Sequence, residues 1–175
     1  MSQGLFKPRR RIMLAVGASA VAGGTALMLF QRGNGAYPQG SPMVVDLADL
    51  PDDKLQTVEW QGLPVWIFRR STAAIATLSE HEAKLADPAS QQSLQPAYCR
   101  NRHRARRPDV FVAIGLCTHQ GCTPALTTGG FLCPCHASRY DLAGRVFKLG
   151  PATANLVIPA YHFETENRLL LGADV

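Results

Sequence analysis

Hydrophobic and polar positions change rhythm twice along the chain. From Ile12 to Phe30, IMLAVGASAVAGGTALMLF, nineteen residues run without a charge or a proline. As a helix they would reach about 28 Å, close to the roughly 30 Å hydrocarbon layer of a bilayer. From Gln31 to Pro42, QRGNGAYPQGSP, glycine, proline and polar residues take over, the composition of a linker. From Met43 onward short apolar runs alternate with turns. LQTVEW and VWIFRRS flank the turn QGLP and read as a hairpin; VFVAIGL is a β-rich run entering Cys117; LVIPAYHFE, TEN and RLLLG make a closing hairpin. One helix is expected among them, because Thr77-Leu78-Ser79-Glu80 has the spacing of a capping box and the segment it opens ends before Asp87-Pro88. The pattern therefore predicts a basic tail and single transmembrane anchor over 1–30, a flexible linker over 31–42, and a compact, mainly antiparallel all-β head with one helical insertion over 43–175.

Charge adds an orientation. Lys7, Arg9, Arg10 and Arg11 precede the apolar segment and only Arg32 follows it closely, which places the N-terminus in the cytoplasm and the head outside. The arginine run followed by Ile12, Met13 and Leu14 resembles a twin-arginine export signal, a route that carries folded cargo, often with its cofactor installed. Ala18-Ser19-Ala20 has the look of a cleavage site, but a cut there leaves only Ile12 to Gly17 as the apolar stretch, too short for an export signal, so the anchor is expected to stay. Five of the 18 Lys and Arg lie in the first 32 residues, while all 13 Asp and Glu follow residue 43. The head is thus formally neutral, and the basic balance of the whole chain gives no ground for nucleic-acid binding. Within the head, CRNRHRARRPD holds five arginines between Arg100 and Arg107, read either as a solvated loop or as a docking patch for an acidic partner or lipid headgroup. Cys99, just ahead of it, reads as a free or buried thiol without chemistry.

The chemistry is concentrated in CTHQGCTPALTTGGFLCPCHASRY, Cys117 to Tyr140, which holds four of the five cysteines and two of the five histidines. Cys117-x-His119 and Cys133-x-x-His136 each offer one thiolate and one imidazole from a tight turn, with 13 residues between His119 and Cys133. Two readings are open on the ligand types: a Cys2His2 zinc site, or a two-iron centre in which one iron takes two thiolates and the other two imidazoles. Cys122 and Cys135 each stand beside one of these residues, in a compartment that permits disulfides. His81, His103 and His162 match neither pair and read as surface or satisfied histidines.

CTHQGC followed by CPCHASRY resembles the two cluster-binding boxes of the Rieske iron-sulfur subunits of bacterial cytochrome bc complexes, the ubiquinol-cytochrome c reductases. The resemblance extends through DLAGRVF and GPATANL and includes the anchor, linker and helical insertion. It implies one [2Fe-2S] cluster, with Cys117 and Cys133 on the buried iron and His119 and His136 on the outer one. It implies a disulfide between Cys122 and Cys135, and hydroxyl donors at Ser138 and Tyr140, to a bridging sulfide and to the sulfur of Cys117. Such donors favour the reduced cluster and raise its potential. Neutral imidazoles in place of two thiolates do the same. A histidine on the outer iron also loses proton affinity when the iron is oxidised, so that electron and proton uptake are coupled.

The function implied is oxidation of quinol, with His136 taking a proton and the cluster one electron, which a c-type cytochrome then receives. The implied partners are cytochrome b and a c-type cytochrome in a dimeric complex of the bacterial inner membrane, with the head on the periplasmic side. A cytochrome bf-type subunit, or the Rieske subunit of another exported oxidoreductase such as an arsenite oxidase, is the alternative. Three departures from the family pattern stand out: Ala137 where glycine is usual, Gln120 where leucine is usual, and Thr153 in place of the second proline of the usual GPAP turn. They bear on the backbone beside His136, the polarity of the docking tip and the loop covering the cluster.

Overall fold

The computed structural model describes residues 37–174. The apolar segment 12–30, the arginine run before it and linker residues 31–36 lie outside the described residues; among these, no helix is long and apolar enough to cross a membrane. The head is built from three antiparallel three-stranded sheets. β1 (Met43–Asp46), β8 (Tyr161–Thr165) and β9 (Arg168–Leu171) form one in the order β1-β9-β8; β2 (Leu55–Trp60), β3 (Leu63–Arg69) and β4 (Val110–Ile114) form the second in chain order; β5 (Ala125–Thr127), β6 (Gly130–Leu132) and β7 (Arg139–Tyr140) form the third.

The expected hairpins are present with sharper boundaries. The turn at QGLP contracts to Gln61-Gly62, both in the left-handed region at φ 52° and 73°, and β3 starts at Leu63, paired with Trp60. A two-residue connection of this hand matches the twist of the strands it joins. VFVAIGL becomes β4, buried at every position, and Gly115 and Leu116 then turn the chain into Cys117. In the closing hairpin only Tyr161–Thr165 and Arg168–Leu171 pair; the residues before them bond elsewhere, Leu156 N–H to Gly144 and Ile158 N–H to Leu94.

The helix departs from expectation. The helix α1 runs from Thr72 to Thr77 and is capped by Ser71, whose hydroxyl accepts from Ala74 N–H. Thr77, expected to open a helix, ends this one. An N-cap needs a non-helical backbone, whereas Thr77 is still helical and Leu78 is the C-cap; the Thr77 hydroxyl donates back to the Ala74 carbonyl, and buried Leu78 anchors the end. Only a short 3-10 turn, Glu82–Lys84, follows before Asp87.

Of the expected linker, residues 37–42 are described. They are bonded to the head: Tyr37 hydroxyl to the Asp174 carboxylate, Ala160 N–H to Pro38, Gly40 N–H to Gly172, and the Trp60 indole N–H to Ser41.

The arginine-rich loop follows neither reading made from the sequence. Arg100 and Arg102 are exposed, but Arg104 is fully buried, donating to Gln95 and to the carbonyls of Ala143, Gly144 and Leu156. Burial lowers its pKa to about 10, so it keeps its charge at neutral pH. Arg106 lies 3.6 Å over the Tyr98 ring and Arg107 pairs with Asp109. Arg104 is thus an internal fastener and Arg106 and Arg107 are half-buried partners of nearby groups, which charge density along a sequence does not reveal.

Candidate functional site

Cys117 and Cys133 each open a loop of the same backbone design. The Cys117 carbonyl accepts from Gly121 N–H (2.9 Å) and its N–H donates to Cys122 (2.7 Å); the Cys133 carbonyl accepts from Ala137 N–H (3.0 Å) and its N–H donates to Ser138 (2.8 Å). The fifth residue of each loop is left-handed, Gly121 at φ 79° and Ala137 at φ 57°. Glycine adopts that conformation freely, whereas alanine does so at a cost of about 1–2 kcal/mol. The glycine usual at the second position is therefore explained by geometry.

The two loops are held in place by what lies between and behind them. The β5–β6 hairpin connects them, and Phe131 of β6 is buried among Trp66, Phe68 and Phe111 of the second sheet, stacked on Trp66 at 5.0 Å. A disulfide joins Cys122 to Cys135, Cα atoms 6.6 Å apart. Behind the second loop, the Asp141 carboxylate accepts from the N–H groups of Ala143 and Arg145 and from the Arg145 guanidinium, and Arg104 fastens the Ala143 and Gly144 carbonyls. Asn155 bridges Val146, Asp87 and Ser90. DLAGRVF and GPATANL are thus the frame that fixes Tyr140 and the covering loop.

Burial grades the expected ligands. Cys117 and Cys133 are each 2% exposed, His119 is half-buried and His136 is exposed. The two imidazole rings are neighbours in an edge-to-face arrangement, centroids 4.9 Å apart at 86°. Burial pushes the Cys133 thiol up, with the Cys117 thiol beside it adding to the shift, so a positive metal is what would hold Cys133 as a thiolate.

The hydroxyl of Tyr140 lies 3.2 Å from the Cys117 sulfur and accepts from Thr118 N–H at 3.1 Å. Thr118 Oγ1, 3.0 Å from the same hydroxyl, has one hydrogen and donates it to the Ala154 carbonyl. The tyrosine hydrogen is therefore left with two acceptors, Thr118 Oγ1 and the Cys117 sulfur. A thiolate there is the stronger one. Burial, followed by the Cys117 contact, pushes the phenol pKa up, so Tyr140 is a neutral donor at neutral pH. Ser138 Oγ accepts from Ala152 N–H at 3.1 Å, which leaves its own hydrogen to donate.

This donor set fits a [2Fe-2S] cluster with thiolates inside and imidazoles outside. It fits a single zinc ion less well. Among the described residues, the one group of three Cys, His, Asp or Glu side chains gathered closely enough for one ion is Cys122, Cys133 and Cys135, and two of those sulfurs are spent in the disulfide. Cys99 is buried and free, its thiol pushed up to about 11 by desolvation, and lies against the Tyr161 hydroxyl, away from both loops. His162 contacts the Ala173 carbonyl and His81 packs on Phe147. Thr118 and Arg104 were not among the residues singled out from the sequence; the signal for Thr118 is its place between two ligands, and Arg104 has none.

The chain matches the Rieske [2Fe-2S] domain family over residues 41–162. It is 41% identical to the ubiquinol-cytochrome c reductase iron-sulfur subunit of Allochromatium vinosum over 99% of this chain and 92% of that one. It is 42% identical to the mitochondrial cytochrome b-c1 complex subunit Rieske of Zea mays, over 73% of this chain and 44% of the plant protein. A chain of a hyperthermophilic respiratory Complex III shares the fold, with a TM-score of 0.51 at 24% identity over 74% of each chain. With two paired loops presenting this donor set, and with similarity running nearly end to end, the chain belongs to the Rieske [2Fe-2S] family, and within it to the ubiquinol-cytochrome c reductase iron-sulfur subunits.

Proposed function

We propose that the chain is the electron-transfer subunit of a bacterial quinol-cytochrome c oxidoreductase, active only within a complex that contains cytochrome b and a c-type cytochrome. The observation that carries this reading is the graded pair of loops, with two thiols buried and two imidazoles at the surface. Cys117 and Cys133 hold the inner iron and His119 and His136 the outer one. When bound, the cluster supplies a one-electron acceptor whose potential is raised by its neutral imidazoles. Exposed His136 offers its solvent-facing ring nitrogen to the quinol hydroxyl and takes the proton there. Tyr140 and Ser138 direct their hydroxyl hydrogens at sulfur, and the disulfide keeps the two loops in register.

In the same reading, residues 12–30 anchor the subunit in the inner membrane after twin-arginine export, with the head on the periplasmic side. The 31–42 segment tethers the head, its last six residues laid against the sheet that closes the domain. The head takes one electron from quinol and carries it to the c-type cytochrome, the second electron going to cytochrome b, in a dimeric complex.

Electron paramagnetic resonance of the full-length protein reduced with ascorbate tests this. A Rieske-type signal with that mild reductant is expected. A signal that needs dithionite would sink the quinol-oxidising assignment, and a colourless protein holding zinc would sink the cluster itself.

A further inference from the structure

A cavity of about 650 Å³ opens beside the cluster-binding loops, between the turn at His81–Lys84, the tip of the β5–β6 hairpin and the Phe147–Leu149 segment. Its size is that of a small-molecule site. Four cationic or protonatable side chains line it, His81, Lys84, Arg139 and Lys148, and no acidic one does. Its walls are apolar, from Phe131, Phe147 and Leu149, the last 86% exposed. The exposed Leu149 thus stands beside the Lys84, Arg139 and Lys148 cations, an apolar surface and a cationic one at the same mouth.

Two details show hydrogen-bonding capacity left over. Lys148 uses one N–H on the Ala83 carbonyl at 2.9 Å and keeps two. The Nδ1 atom of His81 is buried without a hydrogen-bond partner, its ring 5.6 Å from Phe147. Buried polar atoms are rarely left so.

We propose that this cavity binds a small amphiphilic anion, a phosphate or carboxylate carried on an apolar body, with Lys84, Arg139 and Lys148 on the anionic group and Phe147 and Leu149 on the body. The site does not rest on the assignment of the cluster or its function, although Tyr140 is among the residues that line the cavity. It is placed to influence them, because Arg139 stands between Ser138 and Tyr140 on β7.

The test uses the full-length protein in neutral detergent micelles and 2-naphthyl phosphate as probe, followed by fluorescence anisotropy against protein-free micelles. Saturable one-to-one binding is expected. Arg139→Gln and Lys148→Gln should each weaken it about tenfold, the loss of one charged hydrogen bond of about 1.4 kcal/mol. Leu149→Ser, at an exposed position that cannot unfold the domain, should weaken it as well. Inorganic phosphate and 2-naphthol should compete at least tenfold less well. Displacement by phosphatidylglycerol added to the micelles would assign the site to a membrane lipid, and retention of the probe would assign it to a free organic acid. Absence of saturable binding, indifference to all three substitutions, equal competition by inorganic phosphate or equal competition by naphthol would each overturn the proposal.

Discussion

Ala137 is the one residue of the cluster loops whose identity opposes its backbone. It sits at φ 57°, in the position that Gly121 occupies at φ 79° in the matched loop. A left-handed conformation costs an alanine about 1–2 kcal/mol. Replacing it by glycine removes that cost but returns about 0.4–1 kcal/mol through the greater freedom of the unfolded chain. The side chain is exposed, so little packing is lost with the methyl group. Ala137→Gly should therefore stabilise the protein by about 0.5–1 kcal/mol, a rise in Tm of about 2–4 °C for a domain of this size. The reciprocal substitution Gly121→Ala should lower stability by a similar amount. Both are read by thermal unfolding monitored through circular dichroism, alongside the rate at which the visible cluster absorbance is lost on warming. An Ala137→Gly variant no more stable than the parent would refute the idea that strain is held beside His136, and a neutral Gly121→Ala would refute the equivalence of the two loops.

Other outcomes follow from the same geometry. Tyr140→Phe removes a donor to a charged sulfur, a bond of about 1.5–3 kcal/mol; taking half as the difference between oxidation states, the potential should fall by about 30–65 mV in a redox titration, and an unchanged potential would place the hydrogen on Thr118 instead. Cys122→Ser opens a link between residues 13 apart in sequence and should cost about 3 kcal/mol in denaturant unfolding. Arg104→Met orphans Gln95 Oε1 and the carbonyls of Ala143 and Leu156, while Gly144 keeps its bond from Leu156 N–H; relief of an unpaired buried charge offsets part of this, and a net loss of about 2–4 kcal/mol is expected. The hydrogen bond from Arg107 holds the Asp109 carboxyl below its ordinary range, so its contribution is complete above about pH 4 and is lost as the pH falls through the lowered value. Since the pair is partly exposed, Asp109→Asn should cost about 0.2–1 kcal/mol at pH 7, and the difference in Tm from the parent should close as the pH falls through the lowered value; a gap that persists once the carboxyl is protonated would assign the effect to something other than ionisation.

Local pattern carried much of this protein. The period-two runs, the Gln61-Gly62 turn and the β-rich approach to Cys117 are properties of neighbouring residues, and strands can be read from them. The pairs Cys117-x-His119 and Cys133-x-x-His136 were legible as candidate ligands for the same reason: groups that converge from a tight turn lie close in sequence. What needed the tertiary structure were features whose partners are far apart along the chain. Thr77 has the letters of a capping box, yet it is itself the last residue of a helix capped by Ser71, so its backbone is helical where an N-cap's is not. Arg104 looks like one charge in a basic run; only the fold brings three carbonyls and a glutamine around it. Which sulfur Tyr140 faces, and that Ala137 bears a left-handed backbone, depend on two loops meeting across a hairpin pinned by Phe131. Sequence determined which groups this site contains; the closing of the sheets decided which are buried, which face water and where each hydrogen points.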